Sequence, residues 1–369
     1  MLFFFLCCGT PDKEQHNPML VDIDVRHQVS LFDIFERVEL IPLETTDESI
    51  FRRIEKVIYR NGMLFIHDFE GRRIFTFDSV TGSFLFKIDN RGSGPEEYLH
   101  IADFEIDQND RLLILDPFLN SLIEYDLSGR FLRRTRLPEI TNFYNSLRCL
   151  GDDIIAFWTF DGANRLKFFD RRTNSIFQEH APVVVDYRNE VYLPRAFAYR
   201  NYLVKDSYFD NAVYEIFADG TYTIAYTWDF GRLNNTVSMA QRFPEQRLTT
   251  DEFMNWAERL RNSEVVNYIF LHIGGNKKYR YARLMRNNQS INLFHSIADE
   301  HTLVFTEFSE GASFVPLFWT DEFVIGHGPF ADLFEDTIPD AILDERNREI
   351  KRNICEFDNP VLIKYFFRR

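Results

Sequence analysis

Two glycines, Gly92 and Gly94, lie between apolar runs in the stretch NRGSGPEEYLHIADFEID, Asn90 to Asp107, as glycines do where a loop cradles phosphate. A P-loop needs Gly-x4-Gly-Lys-Ser/Thr, and a dinucleotide fingerprint needs Gly-x-Gly-x-x-Gly opening a helix. Here Pro95 follows Gly94 and YLHIADFEID alternates as a strand does, so no helix N-terminus is offered to an anion. Gly92, Gly94 and Pro95 are expected to form a structural turn, with the glycines at positive φ. Gly326 and Gly328, in GHGPF, look like the same device.

Other residues that could do chemistry are equally dispersed. No two of the nine histidines have i, i+2 or i, i+4 spacing with a carboxylate, as zinc ligation would want. His295 and His301 flank SIADE and read as surface residues. Asp68, Asp116 and Asp206 could be taken for a ring of carboxylates, but each ends an apolar run, where an Asx turn is favoured. Gly-x-Ser-x-Gly is absent from the sequence, and Cys149 and Cys355 lack metal-ligand partners and read as buried free thiols. The sequence therefore assigns no catalytic, cofactor or metal residue. A catalytic centre assembled from separate β-units around an axis would leave no local motif.

The elements that would position any such site are β-strands. The chain has 39 Phe and 16 Tyr, residues suited to half-buried pleated surfaces. Lys and Arg total 42 against 57 Asp and Glu, a formal net charge of −15; this excludes a sequence-independent nucleic-acid binder, which needs a basic stripe. The run Arg133-Arg134-Thr135-Arg136 reads as a solvated strand edge or turn.

Two segments repeat, GMLFIHDFEGRRIFTFDSVTGSFLFKI from Gly62 and DRLLILDPFLNSLIEYDLSGRFLRRTRL from Asp110. Each has an apolar strand ending in Asp (Asp68, Asp116), a second ending aromatic-Asp (Phe77-Asp78, Tyr125-Asp126), a Gly (Gly82, Gly129) and a third strand. Weaker copies end at Phe169-Asp170 and run from Asn201 through Asp206 and Gly220. Antiparallel strands with a period of about 45 residues indicate the four-stranded blades of a propeller. Residues 21–369 would hold seven, but TTDEFMNWAERLRNSEVVNYIF opens with a Thr/Asp cap and spaces Phe253, Trp256 and Leu260 helically. DAILDERNREIKRNI likewise sets Ile342, Leu343, Ile350 and Ile354 among charges. The expectation is an all-β, six-bladed propeller over 21–369, with a helical insertion around 249–263 and a C-terminal helix around 340–354. RVELIPLE (Arg37 to Glu44) and PVLIKYFF (Pro360 to Phe367) should share one blade and close the ring, with Pro42 at an edge or strand end.

The opening MLFFFLCCGTPDKEQ has an apolar run too short for a bilayer, which takes about 20 residues. It reads as the tail of a secretory h-region and resembles a bacterial lipobox. Cys8, before Gly9, is the better candidate for lipidation and Cys7 the second, Phe5 standing where such motifs usually have Leu. Residues 1–8 are then a signal remnant and 9–20 a tether. The competing reading is the frayed terminus of a cytosolic protein.

The segment GSGPEEYLHIADFEIDQNDRLLILDPFLNSLIEYDLSGRF resembles the NHL-type propeller repeat. The ordered set of lipobox, IPLETTDES (Ile41 to Ser49), RGSGPEEY and DNPVLIKYFF is similar to the six-bladed propeller lipoproteins of Bacteroidetes over nearly the full length; the fifth and sixth blades depart from the repeat. The resemblance implies a fold and an address, the cell envelope, lipid-anchored to the outer membrane on its periplasmic face or the cell surface, and leaves activity and cofactor open. Two classes of function follow. One is a membrane-anchored binding or scaffolding module for a glycan, a peptide or an envelope protein, using loops such as FWTFDGANR (Phe157 to Arg165). The other is a hydrolase or lyase with its site in the axial cavity and a divalent metal, which metal analysis of purified protein would separate from the first.

Overall fold

Blade 1 shows how the repeat folds. Ile54–Arg60, Met63–Asp68, Arg73–Asp78 and Phe84–Ile88 pair antiparallel in chain order. Between the first two, Asn61 and Gly62 have φ of +50° and +79°, the left-handed pair that a two-residue hairpin of the correct twist requires. Met63–Asp68 is buried along nearly its whole length, since both faces of a blade meet neighbours. The computed structural model describes residues 18–138, 144–159, 164–182, 197–204, 211–234, 249–328 and 338–369.

The same meander recurs in blade 2 (Asp103–Ile106, Arg111–Asp116, Ser121–Asp126, Phe131–Arg136), blade 3 (Tyr144–Cys149, Ile154–Thr159, Asn164–Asp170, Ser175–Pro182) and blade 5 (Asn267–Gly275, Tyr279–Arg286, Gln289–Ser296, His301–Phe305). The fold is the six-bladed propeller expected, six four-stranded sheets in a ring. Six hydrophobic clusters lie one between each pair of successive blades. Leu64, Phe75 and Phe77 of blade 1, for example, meet Phe323 and Leu362 of blade 6, and Phe294 of blade 5 meets Phe314 and Tyr365. The core is a set of inter-blade layers, which only a closed ring completes.

Closure is made where the sequence placed it. Blade 6 takes Pro316–Trp319, Phe323–His327 and Val361–Phe367 from the late chain and Phe35–Pro42 as its outer strand. Val38 pairs with Tyr365, Ile41 with Leu362, and Pro42 ends the ladder opposite Val361. The free edge of this outer strand is covered by the helix Glu345–Arg352. Leu40 N donates to Asn347 Oδ1 (2.7 Å), and Asn347 Nδ2 donates to Val38 O (3.2 Å). Two of the quoted segments meet beside it, Asn359 Nδ2 of DNPV donating to Glu44 O (2.8 Å) and Ser49 O (3.0 Å) of LETTDES. Lys364, the single charge in the apolar tail, is buried and donates to Ser79 O of blade 1 at 2.6 Å, between the rings of Tyr59 and Phe323.

Several expectations are corrected. Met19–Leu20, counted with the tether, is a strand. It pairs in parallel with Trp228 and Asp229, adding an outer strand to Tyr202–Leu203, Ala212–Ile216 and Tyr222–Asp229 of blade 4. On the inner side Phe197 bridges Leu203, so Tyr202–Leu203 is the second strand of the repeat. From Leu20 the chain straps blade 5, where Val304 N donates to His27 Nδ1 (3.0 Å) and Leu31 N to Glu310 Oε2 (2.9 Å), before it enters blade 6. Gly326 is not a turn. It lies inside Phe323–His327, where a Cβ would come within 2.8 Å of Val315 O. Gly328 N donates to Val361 O (3.3 Å) at the end of that ladder; residues 329–337 lie outside the described residues. The insertion helix spans Thr250–Arg261, with Thr249 and Glu252 capping each other. The C-terminal helix is shorter than 340–354, because Asp344 breaks from the turn Asp340–Ile342 and caps a new start at Glu345.

Candidate functional site

Antiparallel pairing puts the turns between first and second strands at one end of the axis. The turns between second and third strands lie at the other, with the segments that hand over from blade to blade. The two ends are built differently.

At the first end neighbouring blades are tied together by polar side chains. Arg60 Nε and Asn61 Nδ2 of blade 1 donate to Asp110 of blade 2 (2.6 and 2.8 Å). Gln108 and Asn109 donate to Asp152 of blade 3, and Arg200 and Lys277, of blades 4 and 5, reach Asp321 of blade 6 (3.0 and 2.8 Å). Deeper, Lys56 pairs with Asp103 (3.0 Å), Glu105 with Arg148 (2.9 Å), and Arg171 with Glu124 (2.6 Å) and Asp107 (3.2 Å). Charges this buried persist because each is partnered; they join blades 1, 2 and 3. Beside them burial, with Glu105 and Asp107, pushes the Cys149 thiol up. Cys355, expected to be buried, is exposed, because it lies in the surface turn before Asn359. Cys7 and Cys8 lie outside the described residues.

The second end carries the sequence's turn residues. Asp116 Oδ1 accepts from Phe118 N (2.9 Å) and Leu119 N (3.1 Å), an Asx turn, while its Oδ2 accepts from Leu99 N (2.6 Å) and His100 N (3.3 Å) of the handover segment. Asp68 Oδ1 accepts from Arg53 N (3.3 Å) of the preceding handover. Each Asp thus ties a turn or strand end to the segment entering its own blade; Asp206 lies outside the described residues. In the handover itself Gly94 does not have positive φ, and Gly92 has φ +157°. Both leave room for Glu97. A Cβ on Gly92 would come within 2.0 Å of the Glu97 carboxylate and one on Gly94 within 3.0 Å. Gly94 N donates to Glu97 Oε2 (2.7 Å), and Glu97 N to Gly94 O (3.1 Å) across a turn that contains Pro95. An internal carboxylate therefore occupies the amide that a phosphate cradle would offer.

On the same handover side lie three ring side chains, two exposed and one half-buried, that sequence reasoning did not single out. Phe69, after Asp68, stands edge-to-face with His100 at 6.0 Å, and His100 with Phe118, after Asp116, at 5.5 Å. Phe118 is 62% exposed and Phe69 36%. Arg53 lies over the Phe69 ring at 5.5 Å. Burial and the Arg72 guanidinium hold His100 below the usual imidazole range, Asp116 opposing them. The row had a sequence signal, an aromatic in the turn after each strand-ending Asp (DFEG, DPFLN), where solvent exposure favours polar residues.

The described histidines elsewhere do not gather. His295, expected at the surface, is buried and its Nδ1 lies against Thr302 Oγ1 (2.9 Å); His301, on the adjacent strand of blade 5, is exposed, its ring 5.5 Å from His27. Among the described residues no three His, Cys, Asp or Glu side chains are placed to hold a metal ion. Arg133, Arg134 and Arg136 lie on the outer strand of blade 2, with Arg133 paired to Glu124 (2.6 Å) and Arg134 Nη1 donating to Gly94 O (3.0 Å). In FWTFDGANR, residues 160–163 lie outside the described residues.

Residues 18–366 match the family described as a domain of unknown function, DUF4934, and the chain belongs to that family. No functionally curated protein matches it. Among solved structures it is similar to an inferred exported protein from Bacteroides fragilis, at 16% identity over 95% of this chain and 98% of that one, with a TM-score of 0.69. It is also similar to a member of the DUF4221 family from Bacteroides vulgatus, at 13% identity over 90% and 98% of the two chains, with a TM-score of 0.51. At these identities the likeness is one of fold.

Proposed function

We propose that the protein is a binding or scaffolding module of the cell envelope, held to a membrane by a lipid on Cys8 and meeting its partner with the end of the propeller that carries Phe69, His100 and Phe118. The observation that carries this reading is the contrast between the two ends. One is stitched by Asp110, Asp152 and Asp321, while the other leaves Phe69 and Phe118, on either side of the half-buried His100, to solvent. Exposed aromatics flanked by arginine are the composition of binding hot spots. The address is supported by the apolar run before Cys7 and Cys8 and by a structural neighbour inferred to be exported.

Both halves are testable in cells that produce the protein. Labelled fatty acid should enter the wild type, and Cys8→Ser should move the protein to the soluble fraction; membrane association that survives replacement of both Cys7 and Cys8 contradicts the anchor. Solubilised envelope should leave material on the immobilised wild type and on an Asn109→Ser variant of the stitched end. The double variant Phe69→Ser/Phe118→Ser should retain none. Equal retention by all three contradicts the binding face.

A further inference from the structure

We propose that the seam between blades 4 and 5 holds a site for a small oxyanion, a carboxylate, phosphate or sulfate group, with Arg280 as its cation. Deep cations elsewhere are matched, Lys56 by Asp103 and Arg171 by Glu124. Arg280, half-buried on the second strand of blade 5, is not. Among the described residues no carboxylate lies within ion-pair distance of it. Its guanidinium stands over the Tyr226 ring at 4.5 Å, and its Nη1 donates to the Met19 sulfur at 3.4 Å. A thioether is a weak acceptor, so the fork keeps most of its donor capacity.

The groups around Arg280 are donors as well. Trp228 and Tyr226, 1% and 2% exposed, belong to the outer strand of blade 4. Neither the Trp228 Nε1 nor the Tyr226 hydroxyl has a hydrogen-bond partner among the described residues. Trp228 pairs with Met19 and stands edge-on to His295, centroids 6.4 Å apart, and His295 is directly opposite Arg280 in the blade 5 ladder. Indole, phenol and guanidinium therefore meet in one place. The Tyr226 hydroxyl neighbours that of Tyr199, and burial pushes both phenols up, so both keep their protons. An indole N–H can only donate, and a buried donor without an acceptor is destabilising and rare in native proteins.

The acids of the neighbourhood are engaged or stand off. Asp24 pairs with Arg286 (2.6 Å) and Arg232 (3.4 Å), and Asp229 Oδ1 accepts from Gly231 N and Asn234 Nδ2. Glu215 and Glu300 flank Tyr202 and His295 without pairing with Arg280. One oxyanion answers both shortages: it supplies acceptors to the buried donors and a counter-charge to the guanidinium, which takes such a group through two parallel N–H bonds. Entry is from the stitched end, where Tyr199 and Arg280 are partly exposed beside Arg200.

The test reads the indole N–H itself by nuclear magnetic resonance of the isotope-labelled full chain, the Trp228 resonance being identified by its loss in Trp228→Phe. Sodium phosphate, sodium sulfate and sodium acetate are titrated at constant ionic strength, with sodium chloride as the control. At least one oxyanion should move that resonance along a saturating curve. The half-point should rise tenfold or more in Arg280→Gln and stay unchanged in Arg283→Gln, whose side chain faces the other way, toward Tyr281 and His327. Arg280→Lys, which keeps the charge but loses the fork, should also weaken binding, and gives the reading if Arg280→Gln does not fold. No movement with any of the three oxyanions, equal movement with chloride, or a half-point that survives the loss of Arg280 overturns the proposal. None of these variants touches Phe69, His100 or Phe118, so such a failure leaves the binding face standing.

Discussion

Phe35 sits at the centre of the contacts that close the ring. It is fully buried at the start of the outer strand of blade 6, pairs with Phe367, and touches the rings of Phe294, Phe308, Phe314, Tyr365 and Phe367. Two of these, Tyr365 and Phe367, lie on the C-terminal strand paired with its own, and Phe294 lies on blade 5, so one side chain joins the N-terminal strand, the C-terminal strand and the neighbouring blade. Phe35→Ala leaves a cavity in a layer that cannot collapse without opening the ring, and a cost of about 3–5 kcal/mol is expected. With an unfolding entropy of about 2.1 cal/mol/K per residue over roughly 350 residues, each kcal/mol moves the melting temperature about 1.4 °C, giving a fall of about 4–7 °C. Calorimetry reads the fall, and amide exchange locates it. Protection should be lost first along Phe35–Pro42 and Val361–Phe367 and persist in Met63–Asp68. A melt within 1 °C of wild type, or a loss of protection uniform over all blades, would refute the clasp.

Three further outcomes follow from the same geometry. Asn347→Leu strips Leu40 N of its acceptor in a buried place and should cost about 1–3 kcal/mol, read as a lower midpoint in denaturant. Gly92→Ala should destabilise more than Gly94→Ala, because Gly92 alone has positive φ (+157°) and its Cβ would meet the Glu97 carboxylate at 2.0 rather than 3.0 Å; in a Glu97→Ala background the difference should narrow but persist, and its complete loss would show that the backbone angle is not a cause. Burial lowers the pKa of His100, His295 and His327 in the native state. The unfolded chain, with histidines near 6.5, therefore binds more protons below that pH. Stability should be full above about pH 7 and fall on acidification through 6.5 toward the native values. Melting temperature against pH should show a smaller fall in the triple variant His100→Gln/His295→Gln/His327→Gln, and an identical fall contradicts the assignment.

The blades and their closure were legible because both depend on patterns the chain writes locally. Asp68 and Asp116 end strands of the same kind 48 residues apart, and an apolar tail such as VLIKYFF has to be buried. What stayed hidden depends on tertiary partners. Met19–Leu20 is too short to alternate, and becomes a strand only because Trp228 and Asp229 offer an edge. Asn347 is one polar residue in a charged helix, and its role exists only against Leu40 and Val38. Gly92 and Gly94 do mark a turn, and Gly92 has the positive φ expected of it, +157°, whereas Gly94 does not; the Glu97 carboxylate beside both is what the sequence could not show. The aromatic row was written in the repeat, but only the ring brings Phe69 and Phe118 to either side of His100.

In-cell photo-cross-linking most directly shows whether the two ends of the propeller differ in function. A photoreactive phenylalanine analogue placed at Phe118 probes the exposed row, and one at Asn109 probes the stitched end. Irradiation of intact cells should give discrete adducts from position 118, lost when Phe69→Ser is added, and none from position 109. Adducts of equal yield from both positions, or from 109 alone, would contradict that difference.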